Sequence, residues 1–150
     1  MEEIRVMDIM KHGPRIISPE KTVMDAAILM KRINSGVLPV GTHPEKIVGI
    51  ITDRDITLRV TAEGKNASLT LIEEVMTKEV QTCDGKSSLE DAAEQMSEHN
   101  IRRLIVITKN YAVGIVTLAE LLRNQGNFRI SDKVLHNLLG LRKSHHAQAK

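Results

Sequence analysis

The chain has 150 residues, 41% hydrophobic and 27% charged, an ordinary globular balance that suits one compact domain or two small units sharing a core. Aromatics reach only 1%, one Phe, one Tyr and no Trp, which argues against the stacking platforms that hold single-stranded nucleic acid. A net charge of +2 implies no polyanion partner, no apolar run approaches the roughly 20 residues of a membrane helix, and "MEEIRVMDIM" lacks a signal peptide's apolar segment. The single cysteine, Cys83, cannot form an internal disulfide, so a reducing cytoplasm is the expected compartment.

In chain order, "RIISP" reads as a short strand after the opening "VMDIMK". "TVMDAAILMKRI" starts with a Thr-x-x-Asp capping pattern and carries Val23, Ala26, Ala27, Met30 and Ile33 at helical spacing. The strands "VLPV" and "IVGIIT" follow, joined by "GTHPEK", and a helix starts near Asp53. "VTAEGKNASLT" reads as a linker. The series then recurs. "IEEVMT" echoes "VMDIMK", "VQTCD" is a short strand, and "SLEDAAEQMSEH" is a helix capped by Ser88. The strands "RLIV" and "AVGIVT" flank the turn "TKNY", and a helix starts near Leu118.

These matches form an internal repeat at an offset of 66 residues, seen from Met10 to Met76, Asp25 to Asp91 and Met30 to Met96. The offset falls to 65 from Gly49 to Gly114, one residue having been lost in a turn. The halves are expected at 7–65 and 72–125, each about 60 residues and each too small to bury much alone. Residues 126–150 form an extension: "FRISDKVLHNLLGL" predicts a further helix with a stripe of Val134, Leu135, Leu138 and Leu139, and "RKSHHAQAK" a frayed tail.

Taken together, the "SP-x-x-T" opening, the Asp-Ala-Ala helix, "LPV" and "GIITDRD", with "DGKSS", "DAA", "RRLIV" and "GIVT" in the second half, resemble tandem cystathionine-beta-synthase (CBS) domains, a Bateman module. The resemblance covers residues from about 7 to 123. It implies an α/β fold of two β-α-β-β-α repeats packed through their sheets with pseudo-twofold symmetry, here with a C-terminal helical extension. It also implies two clefts that bind adenosine nucleotides in many members, and a disc-like homodimer.

Thr52 and Asp55 are the residues that this expectation singles out. A helix N-terminus offers free N–H groups and partial positive charge, which suit a phosphate, and the Thr52 hydroxyl adds a donor. The Asp55 carboxylate could accept from both ribose hydroxyls, as an acidic residue does in dinucleotide folds. The resemblance implies the same two roles. Thr52 and Asp53 also serve as plain helix caps, Asp55 suits a helix N-terminus by charge alone, and Arg54 and Arg59, which could approach a phosphate, are solvated by default.

The second repeat keeps Thr117 but places Glu120 where the first has Asp55, which points to a weaker or differently selective cleft. It carries Arg102 and Arg103, which the resemblance aims at phosphates, in place of Gly36 and Val37. Ile16 and Ile17, with Thr82 and Cys83, match positions that flank adenine in the family, and Pro39 would shape the base pocket wall. The histidines show no metal-ligand spacing, and no nucleophile–base set is present.

The expected function is therefore a non-catalytic sensor. It needs no cofactor and takes AMP, ADP or ATP ahead of S-adenosylmethionine or NADH. The partners expected are the adenosine ligand, a second copy and a regulated protein, with no nucleic acid and no membrane. The rival is a ligand-free scaffold acting through its dimer surface and C-terminal extension.

Overall fold

The computed structural model describes residues 2–124, 126 and 129–140. It divides into two compact units. Of the described residues, one unit holds His12–Gln81 with Ile107–Val113, and the other holds those up to Lys11, Thr82–Val106 and those from Gly114 to Gly140.

In the first unit, α2 (Val23–Ile33) begins at Thr22, whose hydroxyl accepts from the Asp25 N–H while the Asp25 carboxylate accepts from the Thr22 N–H. That reciprocal pair satisfies two orphan donors of the first turn. Asn34 stops the helix in a left-handed conformation with φ of 52°, which Asn tolerates better than most residues. The inner stripe of α2, Val23, Ala26 and Met30, is buried with Ile17, Leu38, Val40, Ile51, Val60, Ile72 and Val75.

The strands β2 (Val37–His43) and β3 (Lys46–Thr52) pair antiparallel, Val37 opposite Thr52 and Val40 opposite Gly49, with irregularities on either side of Gly41. This register puts Leu38 opposite Ile51 in the core and brings Thr52 to the sheet end. There α3 (Asp53–Ile56) starts and runs on into a π-helical turn, Thr57–Thr61. The expected strand "RIISP" reduces to one bridge, Ile17 beside Val40. Pro14 and Pro19 bracket it, and each removes a ladder donor, so pairing cannot spread.

The strands β4 (Thr82–Asp84), β5 (Arg103–Thr108) and β6 (Tyr111–Thr117) join β1 (Lys11–His12) in a sheet of order β1-β6-β5-β4. The turn between β5 and β6 is Lys109-Asn110, both at positive φ (51° and 67°), the conformation a two-residue hairpin loop requires. Helix α5 (Leu89–Glu98) is capped by Ser88 and buries Leu89, Ala92, Ala93 and Met96. Helix α6 (Leu118–Arg123) follows β6. The extension supplies α7 (Asp132–Leu138), capped by Ser131 and packed on α5, with Asn137 Nδ2 donating to Ser97 Oγ at 3.1 Å. The expected tail lies outside the described residues.

Two one-turn helices, α1 (Val6–Ile9) and α4 (Ile72–Val75), open the repeats in sequence. Each packs against the hairpin of the other repeat. Met76 and Thr77, after α4, lie against Gly49 of β3; Met10 and Lys11, after α1, lie against Gly114 of β6. A Cβ at Gly49 would sit 2.8 Å from both the Met76 sulfur and the Thr77 carbonyl oxygen, and one at Gly114 would collide with the Lys11 carbonyl. Glycine at both positions therefore follows from close backbone approach.

Candidate functional site

The polar cluster sits where β3 becomes α3. Thr52 and Asp55 are both buried, at 9% and 8% exposure. They form a reciprocal cap: the Asp55 N–H donates to Thr52 Oγ1 at 3.1 Å, and the Thr52 N–H donates to Asp55 Oδ2 at 3.0 Å. The Thr52 hydroxyl proton has no acceptor among the described residues, which leaves it free for an anionic oxygen. The other carboxylate oxygen, Oδ1, accepts from the Thr77 hydroxyl at 3.2 Å. Arg59 Nη1 stands 3.9 Å from Oδ1 and spends its hydrogen bonds on the carbonyls of Val75 and Met76, at 2.9 and 3.1 Å. Asp55 is thus a buried, oriented acceptor and not an exposed helix-end charge. Arg54 is exposed, and its N–H is taken by Asp53 Oδ1 at 2.9 Å.

The second repeat builds the same junction with different bookkeeping of protons. Glu120, 7% exposed, accepts at Oε2 from the Thr117 N–H at 2.6 Å and also from the Thr117 hydroxyl. Both donors fall on one oxygen, and the Thr117 proton is consumed inside the cap. The position equivalent to Thr77 is Lys11, which carries no hydroxyl.

Arg102 and Gly36 occupy equivalent backbone positions, since the Arg102 carbonyl accepts from the Leu118 N–H and the Gly36 carbonyl from the Asp53 N–H, both at 2.9 Å. A Cβ at Gly36 would press on the Asp53 carboxylate, at 2.6 Å. Glycine there makes room for that charge, whereas Leu118 leaves space for a side chain, and Arg102 is exposed with Arg103 half-buried at the start of β5.

Ile17 and Pro39 are brought together by a 3.0 Å bond from the Ile17 N–H to the Pro39 carbonyl, and both are buried. Ile16, beside them, is half-buried. Ile16 and Ile17 face a recess of about 330 Å³ against the outer side of α2, shared with Lys21, Asp25, Ile28 and Arg32. That recess includes neither Thr52 nor Asp55.

Thr82 and Cys83 begin β4, and Gln95 Nε2 occupies the Thr82 carbonyl at 2.8 Å. Burial first, then the charge of Asp84, pushes the Cys83 thiol up to about 11 from an ordinary 9.0. Two pH units cut the thiolate about 100-fold, so at pH 8 the native protein is expected to react with a thiol probe about two orders of magnitude more slowly than the chain in denaturant. Equal rates would show the strand open. Because the raised value belongs to the folded state, this thiol's contribution to stability falls as pH rises past 9.0.

Thr77 and Arg59 are the residues at this junction that sequence pattern missed or misplaced. Thr77 lies in the opening segment of the second repeat, 22 residues from Asp55, and nothing periodic links them. Its one trace is the change from Lys11 to Thr77 between otherwise similar "VMDIMK" and "IEEVMT" segments.

The CBS domain family model matches residues 6–61 and 72–127. A CBS domain-containing protein of Bacillus subtilis, YhcV, is 40% identical over 133 residues, which is 89% of this chain and 94% of the relative. Hypoxic response protein 1 of Mycobacterium tuberculosis is 31% identical over 117 residues, 78% of this chain and 82% of that one. Among solved structures, the CBS domain pair of protein MJ0100 in complex with 5′-methylthioadenosine and S-adenosyl-L-methionine superposes with a TM-score of 0.74 at 32% identity, over 83% of this chain and 98% of that one. Hypoxic Response Protein I with two coordinated zinc ions gives 0.69 at 30% identity, over 81% and 98%. Among the described residues here, no group of three or more His, Cys, Asp or Glu could hold a metal ion, and no helix is long and apolar enough to cross a membrane. With both repeats matched across most of its length, the chain belongs to the CBS-domain family as a tandem pair of CBS repeats.

Proposed function

We propose that the protein is a non-catalytic regulatory module that binds an adenosine-containing small molecule at the Thr52–Asp55 junction. The ribose hydroxyls rest on the Asp55 carboxylate, and a phosphate or other anionic group takes the Thr52 hydroxyl proton. The observation that carries this reading is the buried carboxylate itself. Two internal donors fix its orientation, and Arg59 pairs with its second oxygen only at 3.9 Å, beyond hydrogen-bond reach. The solved relative that holds 5′-methylthioadenosine and S-adenosylmethionine supports the ligand class. Adenine nucleotides, AMP, ADP or ATP, are the members of that class we expect, with Ile16, Ile17 and Pro39 toward the base.

Titration calorimetry with AMP, ADP, ATP, 5′-methylthioadenosine and S-adenosylmethionine tests the reading. At least one should bind saturably and raise the unfolding midpoint, because a ligand of the native state at 100 times its Kd stabilises it by about 2.7 kcal/mol. Absence of heat and of any midpoint shift with all five at millimolar concentration would favour the scaffold.

A homodimer is also proposed. Helix α2 exposes Met24 and Ile28 at 42% and 49%, an apolar pair that a twofold contact would cover once on each chain. Light scattering should give twice the 16.7 kDa chain mass at tens of micromolar, and a monomer mass there would contradict it.

A further inference from the structure

The Thr77 hydroxyl has no part in helix capping, yet it is aimed at the carboxylate. We propose that Thr77 is a positioning residue that tunes the Asp55 site for a vicinal diol; this rests on the ribose-binding reading above. A carboxylate offers about four lone-pair positions, two on each oxygen. The Thr52 N–H takes one on Oδ2, and the Thr77 hydroxyl takes one on Oδ1, with a longer limb of 3.4 Å to Oδ2. One acceptor position per oxygen remains. Two adjacent ribose hydroxyls present two donors, one for each.

Thr77 can do this because its backbone is clamped. Its N–H donates to the Ile50 carbonyl at 2.8 Å and its carbonyl accepts from the Ile50 N–H at 2.9 Å. The hydroxyl therefore approaches Oδ1 from a fixed point on β3. It has a second effect. Arg59 is held 3.9 Å from Oδ1 by the carbonyls of Val75 and Met76. Without the Thr77 hydroxyl, the carboxylate torsion, which is broad for a terminal sp³–sp² bond, is free to turn Oδ1 onto the guanidinium. Tightened from 3.9 Å to hydrogen-bond distance, that ion pair would occupy the acceptor that the second ribose hydroxyl needs. The second repeat supplies the contrast: with Lys11 in place of Thr77, the Thr117 N–H and hydroxyl both donate to Oε2 of Glu120.

The experiment compares AMP and ATP with their 2′-deoxy counterparts on the parent protein, Thr77→Val, Thr77→Ser and Thr77→Ala. The parent should prefer the ribonucleotide by about tenfold, the worth of one charged hydrogen bond. Thr77→Ser should keep that preference. Thr77→Val should lose most of it, to about threefold or less, since the deoxy ligand never used the second acceptor. Urea unfolding establishes that each variant is folded, and Thr77→Ala replaces Thr77→Val should the latter not fold. A folded variant that binds more weakly but with the parent's ribo-to-deoxy ratio would overturn the assignment and leave Thr77 a packing residue. A parent that binds adenylates with no ribo preference would remove the diol reading itself, and one that binds none would remove the ligand reading; each takes the proposal with it.

Discussion

Asp55→Ala is expected to weaken an adenosine ligand at the first repeat by roughly 10-fold to more than 100-fold, because each hydrogen bond to a charged carboxylate is worth about 1.5–3 kcal/mol. Glu120→Ala should matter less. The Thr117 hydroxyl proton is consumed inside that cap, and both internal donors sit on Oε2. Calorimetry on the two variants reads the asymmetry directly, and equal losses would refute it. The stability cost of Asp55→Ala should exceed that of an exposed helix-end charge. The carboxylate is buried and is the acceptor for the Thr52 N–H and the Thr77 hydroxyl, so stranding them costs about 1–3 kcal/mol. Asp55→Asn retains one acceptor oxygen. It should recover part of the stability and little of the affinity, since an amide turns one oxygen into a donor.

The second large effect belongs to the glycines beneath the crossing segments. Gly49→Ala and Gly114→Ala should each lower stability by about 1–3 kcal/mol, the usual range for overpacking where backbone cannot yield. In both cases a carbonyl oxygen, of Thr77 or Lys11, blocks the added methyl, together with the sulfur of Met76 or Met10. The thioether can swing away; the carbonyl is held by pairing. Gly49→Ala should also weaken the ligand, because shifting Thr77 moves its hydroxyl away from Asp55. Urea unfolding with an unchanged m value measures the first effect and calorimetry the second. Parent-like stability in both variants would show that the segments lie loosely on the strands.

Sequence pattern reached the elements whose physics is local. The Thr22–Asp25 box is readable because capping needs only a hydroxyl and a carboxylate three residues apart, and it forms; Thr52 reads as a cap too, and the structure adds the reciprocal bond to Asp55. The stripes of α2 and α5 are long enough to show a period. At four residues, α1 and α4 are too short for one, so their repeat was visible while their helicity was not. The strand expected at "RIISP" failed for a local reason, the flanking prolines, which a propensity reading underweighted. The π-helical continuation of α3 through Thr61 extends into residues that read as linker. At the site, Thr52 and Asp55 were legible and their third partner was not. Thr77 reaches the carboxylate only because α4 returns the chain alongside Ile50, a tertiary fact with no sequence period. A helical Arg59 is expected in solvent, yet its guanidinium donates to the carbonyls of Val75 and Met76 at the end of α4.

The most direct test of the central claim is a crystal structure of the protein grown with a saturating adenosine ligand, chosen by the calorimetric panel. Both ribose hydroxyls are expected within about 3.2 Å of the Asp55 carboxylate, one on each oxygen, with the Thr52 and Thr77 contacts retained. A ligand bound with its ribose elsewhere, and Asp55 contacting only Thr52, Thr77 and Arg59, would contradict the claim.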